Sequence, residues 1–366
     1  VRIYPFHDLA AQLLGSVAPT NQTELLDTRF AGTPAATVGQ SGLEAYYDSA
    51  LRSGETLKLS LDVPLQVAGQ QALQHAIDSN YPANGGAFVA MNPQNGEVYA
   101  MGSLPTYDPN VFTKPVAQST YNSLFGPSSG DPQVNRAYQS AGSTGSAFKP
   151  ITATAALESG AWTVNDIFDD TGQFCSSGQC RRNAGGAVDG PLDLESAIKV
   201  SSDDFFYNLG VLTNSPAPNG GPLQHWARLY GIGQKTGIDL PDENPGTLPD
   251  PAWRAHRNEL EAECDSATGP FEGKPKHPPG GCGITDGSNR PWSAGDNESL
   301  AVGQGDVQVT PLQLAVAYSA IANGGTIVRP HVGMDVQRAN GTVLQPIDPA
   351  PAQQLNISPQ YLDAIR

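Results

Sequence analysis

Two serines in this 366-residue chain stand three positions before a lysine, as Ser146/Lys149 and Ser196/Lys199. A serine hydroxyl becomes a nucleophile when a base takes its proton. A lysine one helical turn away can be that base if burial and neighbouring positive charge lower its pKa. The spacing alone decides little, because a serine N-cap followed by a solvated lysine gives the same pattern. Context separates the pairs. Ser146 follows Gly142, Thr144 and Gly145 and begins a helix, whose amino end favours developing negative charge and whose backbone amide can serve as one oxyanion donor. Ser196 falls within a helix that offers no exposed turn and reads as an ordinary surface position. Further on, Ser201-Ser202-Asp203 forms a second polar cluster, in a loop between two helical segments.

These groups need elements to carry them. Pro150 to Glu158 reads as a helix whose early proline is tolerated because first-turn amides have no intrahelical partner. Leu194 to Lys199 and Phe205 to Leu212 are helical pieces flanking the second cluster, within a region, Ala141 to Leu229, read as helix and loop. Upstream, Leu57 to Asp62 alternates as a half-buried strand, and Val63 to Asp78 carries apolar residues at helical spacing. Gly86–Met91 and Glu97–Gly102 are apolar strands joined through Asn95-Gly96, a hairpin turn signal. Residues 1–54 read as a separate small unit, with a short helix closed by Gly15 and a second helical stretch from Ser41 to Leu51. Residues 241–296 are rich in proline and glycine and read as an irregular insertion. Thr310-Pro311 opens a helix that Asn323-Gly324-Gly325 ends. Strand, helix and hairpin before a helical middle indicate a mixed α/β domain, and no internal repeat is present.

Composition narrows the function classes. A formal net charge of −16 argues against a nucleic-acid backbone as partner. Of the four cysteines, Cys175 and Cys180 are close together, and Cys264 and Cys282 bracket a Pro/Gly-rich stretch. The first pair loosely fits a zinc spacing, but no companion pair or helically spaced histidines support it. Two local disulfides are the better reading and place the chain in an oxidising, extracytoplasmic compartment; free cytosolic thiols are the alternative. No run of apolar residues is long enough to span a membrane, and Val1 is not a start methionine, so export requires a signal or anchor outside this sequence.

Ser-x-x-Lys followed by a Ser-x-Asn-type cluster is part of the signature of β-lactamases and penicillin-binding proteins. The chain resembles the class B penicillin-binding proteins over nearly its whole length. Gly42-Leu43-Glu44 with Tyr46-Tyr47-Asp48 is similar to the end of that family's N-terminal pedestal. Val89 to Pro93, Gly96 to Met101 and Tyr107-Asp108-Pro109-Asn110 resemble its opening hairpin, and Asn135-Arg136-Ala137 the segment before its active serine. Gly303-Gln304-Gly305, Thr310 to Gln313 and Ala322 to Gly325 resemble later segments. Asp203 where most members have asparagine, followed by Phe206-Tyr207, resembles the elongation-type branch, as does the cysteine-containing stretch.

The resemblance implies a pedestal over 1–54 and, over 55–366, a penicillin-binding/serine β-lactamase-like transpeptidase domain with an antiparallel sheet flanked by helices. It implies a peptidoglycan D,D-transpeptidase that uses no metal or organic cofactor. Ser146 would attack the bond between two D-alanines of a stem peptide, with Lys149 as general base. Ser201 would relay a proton to the leaving amine, and Asp203 would position the substrate amide or Lys149. Ser202, Gly303, Gln304 and Gly305 are expected to touch substrate. β-Lactams would acylate the same serine. A membrane-embedded SEDS-type glycosyltransferase is the implied partner, and an N-terminal transmembrane helix outside this sequence the implied anchor on the extracytoplasmic face of the membrane.

Lys235-Thr236-Gly237 looks like a third motif, but it precedes Gly303 and runs into Ile238-Asp239-Leu240-Pro241, a turn the family uses structurally. The resemblance places the catalytic Lys-Thr-Gly strand, with the second oxyanion amide, beyond Arg366, so a protein ending there would not turn over. Leu51 to Glu55 joins pedestal to domain more abruptly than the family does, implying residues omitted there. Alternatives with related chemistry are a division-type cross-linker, a β-lactam sensor that acylates without cross-linking, an inactive scaffold and, with no convincing deacylating base, a hydrolytic β-lactamase.

Overall fold

The computed structural model describes residues 2–20, 37–114, 116–176, 178–266, 282–285 and 289–366. The chain forms two compact units, one of Val1–Ala141, Gln234–Gly246 and Val309–Leu355, the other of Gly142–Gly233, Thr247–Gln308 and Asn356–Arg366.

The first unit is built on antiparallel strands. Thr56–Leu59 pairs with Gly333–Gln337, which pairs in turn with Val343–Pro346. The hairpin Gly86–Met91/Val98–Leu104 forms where alternation predicts it, with Gly96 at φ 86° in its turn. It joins the other strands through Val98 N–H to the His331 carbonyl at 2.9 Å and Asp62 N–H to the Tyr99 carbonyl at 2.9 Å. Helix Val63–Ser79 is capped by the Asp62 side chain on the Leu65 amide. It is fixed to the hairpin by buried Gln66, which donates to the Met101 carbonyl (3.0 Å) and accepts from the Met101 amide (2.9 Å). Leu13, Leu43, Val98, Met101, Tyr138, Leu240, Leu312 and Val332 form the core between these elements. The helical stretch expected from Ser41 to Leu51 is broken into Gly42–Tyr46 and Asp48–Arg52. The break is at Tyr47, whose hydroxyl donates to Asp239 Oδ2 at 2.6 Å.

Asp239 is the hub of this unit. Besides Tyr47 it accepts from the amides of Val332 and Gly333, both at 2.8 Å, and it is 6% exposed. Asp239→Ala orphans one hydroxyl and two buried amides, so a loss of roughly 2–4 kcal/mol of unfolding free energy is expected. Denaturant titration reads it; a loss below roughly 1 kcal/mol would mean that these donors find other partners.

The second unit is mainly helical. In helix Lys149–Glu158 every residue from Ile151 to Leu157 is buried, so it is the central rod rather than a surface helix. Around it pack Pro222–Leu229, Asp203–Leu212 and Pro359–Ile365. Two features depart from the sequence reading. Short strand pairs occur within the region read as helix and loop: Phe168–Asp170 with Gly190–Leu192, and Gln173–Ser176 with Gln179–Arg182. The second pair is closed by the Cys175–Cys180 disulfide. Residues 241–296, read as irregular, contain the 16-residue helix Pro251–Ser266. Apart from Pro251 at its first position, where a proline is tolerated, the prolines and glycines of the region sit outside it, whereas Ala252, Arg254, Ala255, Leu260, Glu261 and Ala262 favour helix. The expected Cys264–Cys282 disulfide ties this helix to the segment 282–285. There Glu261 accepts from the amides of Cys282, Ile284 and Thr285, chiefly the last, and these bonds hold its pKa below the usual range. The remaining residues of the insertion, 267–281 and 286–288, lie outside the described residues. No helix among the described residues is long and apolar enough to cross a membrane.

Candidate active site

Ser146 lies in a single 3₁₀ turn, Gly145–Phe148, that runs directly into helix Lys149–Glu158. Its side chain is exposed at the amino end of that helix, while Phe148 and Lys149 beneath it are buried. The turn is fixed from below. Gly145, at φ 56°, donates its amide to the Gly303 carbonyl at 2.9 Å. A Cβ on Gly303 would lie 2.2 Å from the Gly145 carbonyl oxygen, and φ there is 67°, so only glycine fits. Gly303, expected to touch substrate, is instead a buried support of the serine turn. Gln304 and Gly305 are exposed.

Lys149 is 2% exposed, and the structure shows where its ammonium goes. Nζ donates to the Ser201 carbonyl at 2.7 Å, to Ser201 Oγ at 3.1 Å and to Asp203 Oδ1 at 2.7 Å. The Phe206 ring lies 5.4 Å away. All three ammonium hydrogens are thereby engaged. Burial lowers the Lys149 pKa, and the hydrogen bond and charge of Asp203 partly offset it, leaving the pKa below that of a free lysine.

The second cluster is not a simple loop. Ser201 ends helix Leu194–Val200 in the left-handed region, at φ 59°; Ser202 caps the next helix and Asp203 is its first residue. Ser202, expected among the substrate contacts, is 2% exposed, and its hydroxyl is committed to the Phe205 amide (3.0 Å) and Asp170 Oδ2 (2.5 Å). Asp170 and Asn183, part of the same buried cluster, were missed by sequence reasoning. Asp169-Asp170 before Gly172 offered a turn signal but no link to residue 202.

The other candidates separate cleanly. Ser196 is in the first turn of helix Leu194–Val200, its amide held by Asp193 at 2.8 Å, and Lys199 is exposed. Lys235-Thr236-Gly237 belongs to the first unit. There Glu243 accepts from the Thr236 amide (2.7 Å), the Thr236 hydroxyl (2.6 Å) and the Gly237 amide (3.1 Å), as befits a structural turn. Glu261, Asp265 and Cys282 bring three potential metal-ligand atoms within 4.8 Å, but the Cys282 sulfur is in a disulfide and Glu261 is filled by amides.

An exposed serine at a helix amino end, with a buried lysine one turn on, can carry out acyl transfer. Comparison with known proteins points the same way. Residues 86–366 match the penicillin binding protein transpeptidase domain and residues 1–59 the penicillin-binding protein dimerisation domain. The chain is 30% identical over 362 residues to peptidoglycan D,D-transpeptidase MrdA of Acinetobacter baumannii, covering 90% of this chain and 47% of that protein. It spans about half the length of the curated relatives it matches. The structure of Pseudomonas aeruginosa PBP2 in complex with WCK 5153 aligns at a TM-score of 0.78 and 28% identity, over 99% of this chain and 72% of that one. Helicobacter pylori PBP2, in its complex with MreC, aligns at 0.78 and 25% identity, over 100% and 63%.

Proposed function

This chain belongs to the penicillin-binding protein transpeptidase family, and from that premise we propose that it is a peptidoglycan D,D-transpeptidase of the elongation type, acting through an acyl-enzyme on Ser146. The observation that carries the proposal is Lys149: buried, held by Ser201 and Asp203, and one turn from an exposed serine.

Ser146 Oγ attacks the carbonyl between two D-alanines of a stem peptide while its proton passes to a neutral Lys149 Nζ. The Ser146 amide, at the amino end of its helix, is one donor to the developing oxyanion. As the C–N bond breaks, the Ser201 hydroxyl, bonded to Lys149, delivers a proton to the leaving amine and is reprotonated from it. D-Alanine departs. An amine of a neighbouring stem then takes the acyl group and restores Ser146. The three-acceptor arrangement around Lys149 is the charged resting form; loss of one proton leaves a lone pair for the serine. A β-lactam enters by the same attack but has no departing fragment, so its adduct persists.

The two disulfides suit an oxidising compartment, and we place the protein at the extracytoplasmic face of the membrane, anchored there. Solved relatives include PBP2 with MreC and a peptidoglycan synthase complex that coordinates polymerization and crosslinking. They support a partner in the elongation machinery, and we take it to be a membrane-embedded SEDS-type glycosyltransferase. The test is intact mass of full-length protein after incubation with benzylpenicillin. One adduct of the whole drug, stable after the excess is removed and mapped to the peptide containing Ser146, is expected. No adduct, or one that hydrolyses as fast as it forms, would overturn the reading.

A further inference from the structure

The residues from Ser201 to Asp204 bond to two different surroundings. Ser201 and Asp203 meet Lys149. Ser202 and Asp204, alternating with them, bond instead to a buried cluster from elsewhere in the unit. Ser202 Oγ donates to Asp170 Oδ2 at 2.5 Å. Asn183 Nδ2 donates to both Asp170 oxygens at 2.9 Å, and Asn183 Oδ1 accepts from the Asp204 amide at 2.8 Å. The Gly172 amide donates to Asp170 Oδ1 at 2.8 Å and the Thr171 amide to Asp204 Oδ2 at 3.0 Å. Asp170, Asn183, Ser202 and Asp204 are all buried, from 1% to 6% exposed.

The proposed chemistry needs neither Asp170 nor Asn183, and no hydrogen bond among the described residues joins either to Lys149. What they hold is the backbone. Ser201 is a non-glycine residue at φ 59°, a conformation of order 1 kcal/mol above its alternatives that must be fixed by its surroundings. It supplies two of the three bonds to Lys149 and is flanked by the residue Asp170 grips. We infer that Asp170, Asn183 and Ser202 are positioning residues, a buried clamp that sets the Ser201 carbonyl and the Asp203 carboxylate against Lys149. The inference rests on the acyl-transfer reading and goes beyond it. Charge within the clamp is consistent with this role. Burial would raise the Asp170 pKa, but the hydrogen bonds from Ser202, Asn183 and Gly172 bring it below the usual range. Burial and the Asp170 charge push Asp204 up. The two carboxyls are thus pushed in opposite directions, and asparagine in place of Asp170 would set a donor against the donors of Ser202 or Asn183.

The experiment is the second-order rate of acylation of full-length protein by a fluorescent penicillin, followed from neutral to alkaline pH. Labelling of the wild type and its loss in Ser146→Ala test the acyl-transfer reading separately. Asp203 is the charged group bonded to Lys149, and with the Ser201 carbonyl it favours the charged lysine. Asp170→Asn is therefore expected to slow acylation about tenfold and to move the midpoint of the alkaline rise down by about half a pH unit. In an Asp203→Asn background the same change should move the midpoint less far, because only the Ser201 carbonyl is then left to be displaced. A folded Asp170→Asn protein with lowered thermal stability but an unchanged midpoint, and a rate within about twofold of wild type, would overturn the clamp. If Asp170→Asn does not fold, Asn183→Ala decides by the same two readouts: a smaller shift in the same direction supports the inference and no shift overturns it.

Discussion

Ser146→Ala is expected to remove covalent labelling by penicillin altogether, leaving less than roughly one part in 10⁴ of the wild-type acylation rate. The size of the effect follows from the chemistry: without Oγ there is no atom to carry the acyl group, and no neighbour can substitute. Ser201 Oγ is bonded to Lys149 and lies at the end of a different helix, and Ser202 is buried against Asp170. The substitution should not disturb the fold. The serine turn is held by the Gly145–Gly303 bond and by buried Phe148, neither of which uses the serine side chain. Unfolding free energy is therefore expected within about 0.5 kcal/mol of wild type. Ser196→Ala is the matched control. It removes the serine of the other Ser-x-x-Lys pair, whose lysine is solvent-exposed, and should label at the wild-type rate. Undiminished labelling of Ser146→Ala, or loss of labelling in a folded Ser196→Ala protein, would sink the assignment.

Which parts of this arrangement were legible beforehand depends on how local their causes are. The Gly86–Leu104 hairpin announced itself because alternation and an Asn-Gly turn are read within a dozen residues. Ser146 and Lys149 share one turn of helix, so their proximity is also local. Ser201 and Asp203 could be tied to Lys149 only through the family resemblance, since no periodicity reports a contact across that separation; the structure brings the three together at hydrogen-bond distance. Asp170 and Asn183 had no such help: their link to Ser202 is a tertiary contact between polar residues that carry no pattern. The part Gly303 plays in the serine turn was hidden for a related reason. Its glycine is required by the backbone lying against it, which sequence does not display. Helix Pro251–Ser266 was obscured differently, by averaging a helix-favouring run with the proline and glycine on either side.

Lys149→Arg is expected to be nearly as damaging as loss of the serine, although it conserves charge. A guanidinium cannot give up its proton at any accessible pH, so no neutral base forms. General-base catalysis of this kind contributes about 10²–10⁴-fold, and acylation should fall by that order. Lys149→Ala should fall comparably for another reason: it leaves Asp203 without its cation and a cavity beside Phe206. The pH profile distinguishes a catalytic lysine from one that merely packs. If neutral Lys149 is the base, the rate rises with pH as its ammonium deprotonates. The midpoint should lie below that of a free lysine, because burial lowers this pKa more than Asp203 raises it. Asp203→Asn removes the opposing contribution, so its rising limb should move to lower pH. Lys149→Arg and Lys149→Ala should lose the limb. A wild-type rate independent of pH across that range, or an Asp203→Asn limb displaced to higher pH, would show that Lys149 holds the second cluster in place without taking the proton. The base would then have to be sought elsewhere.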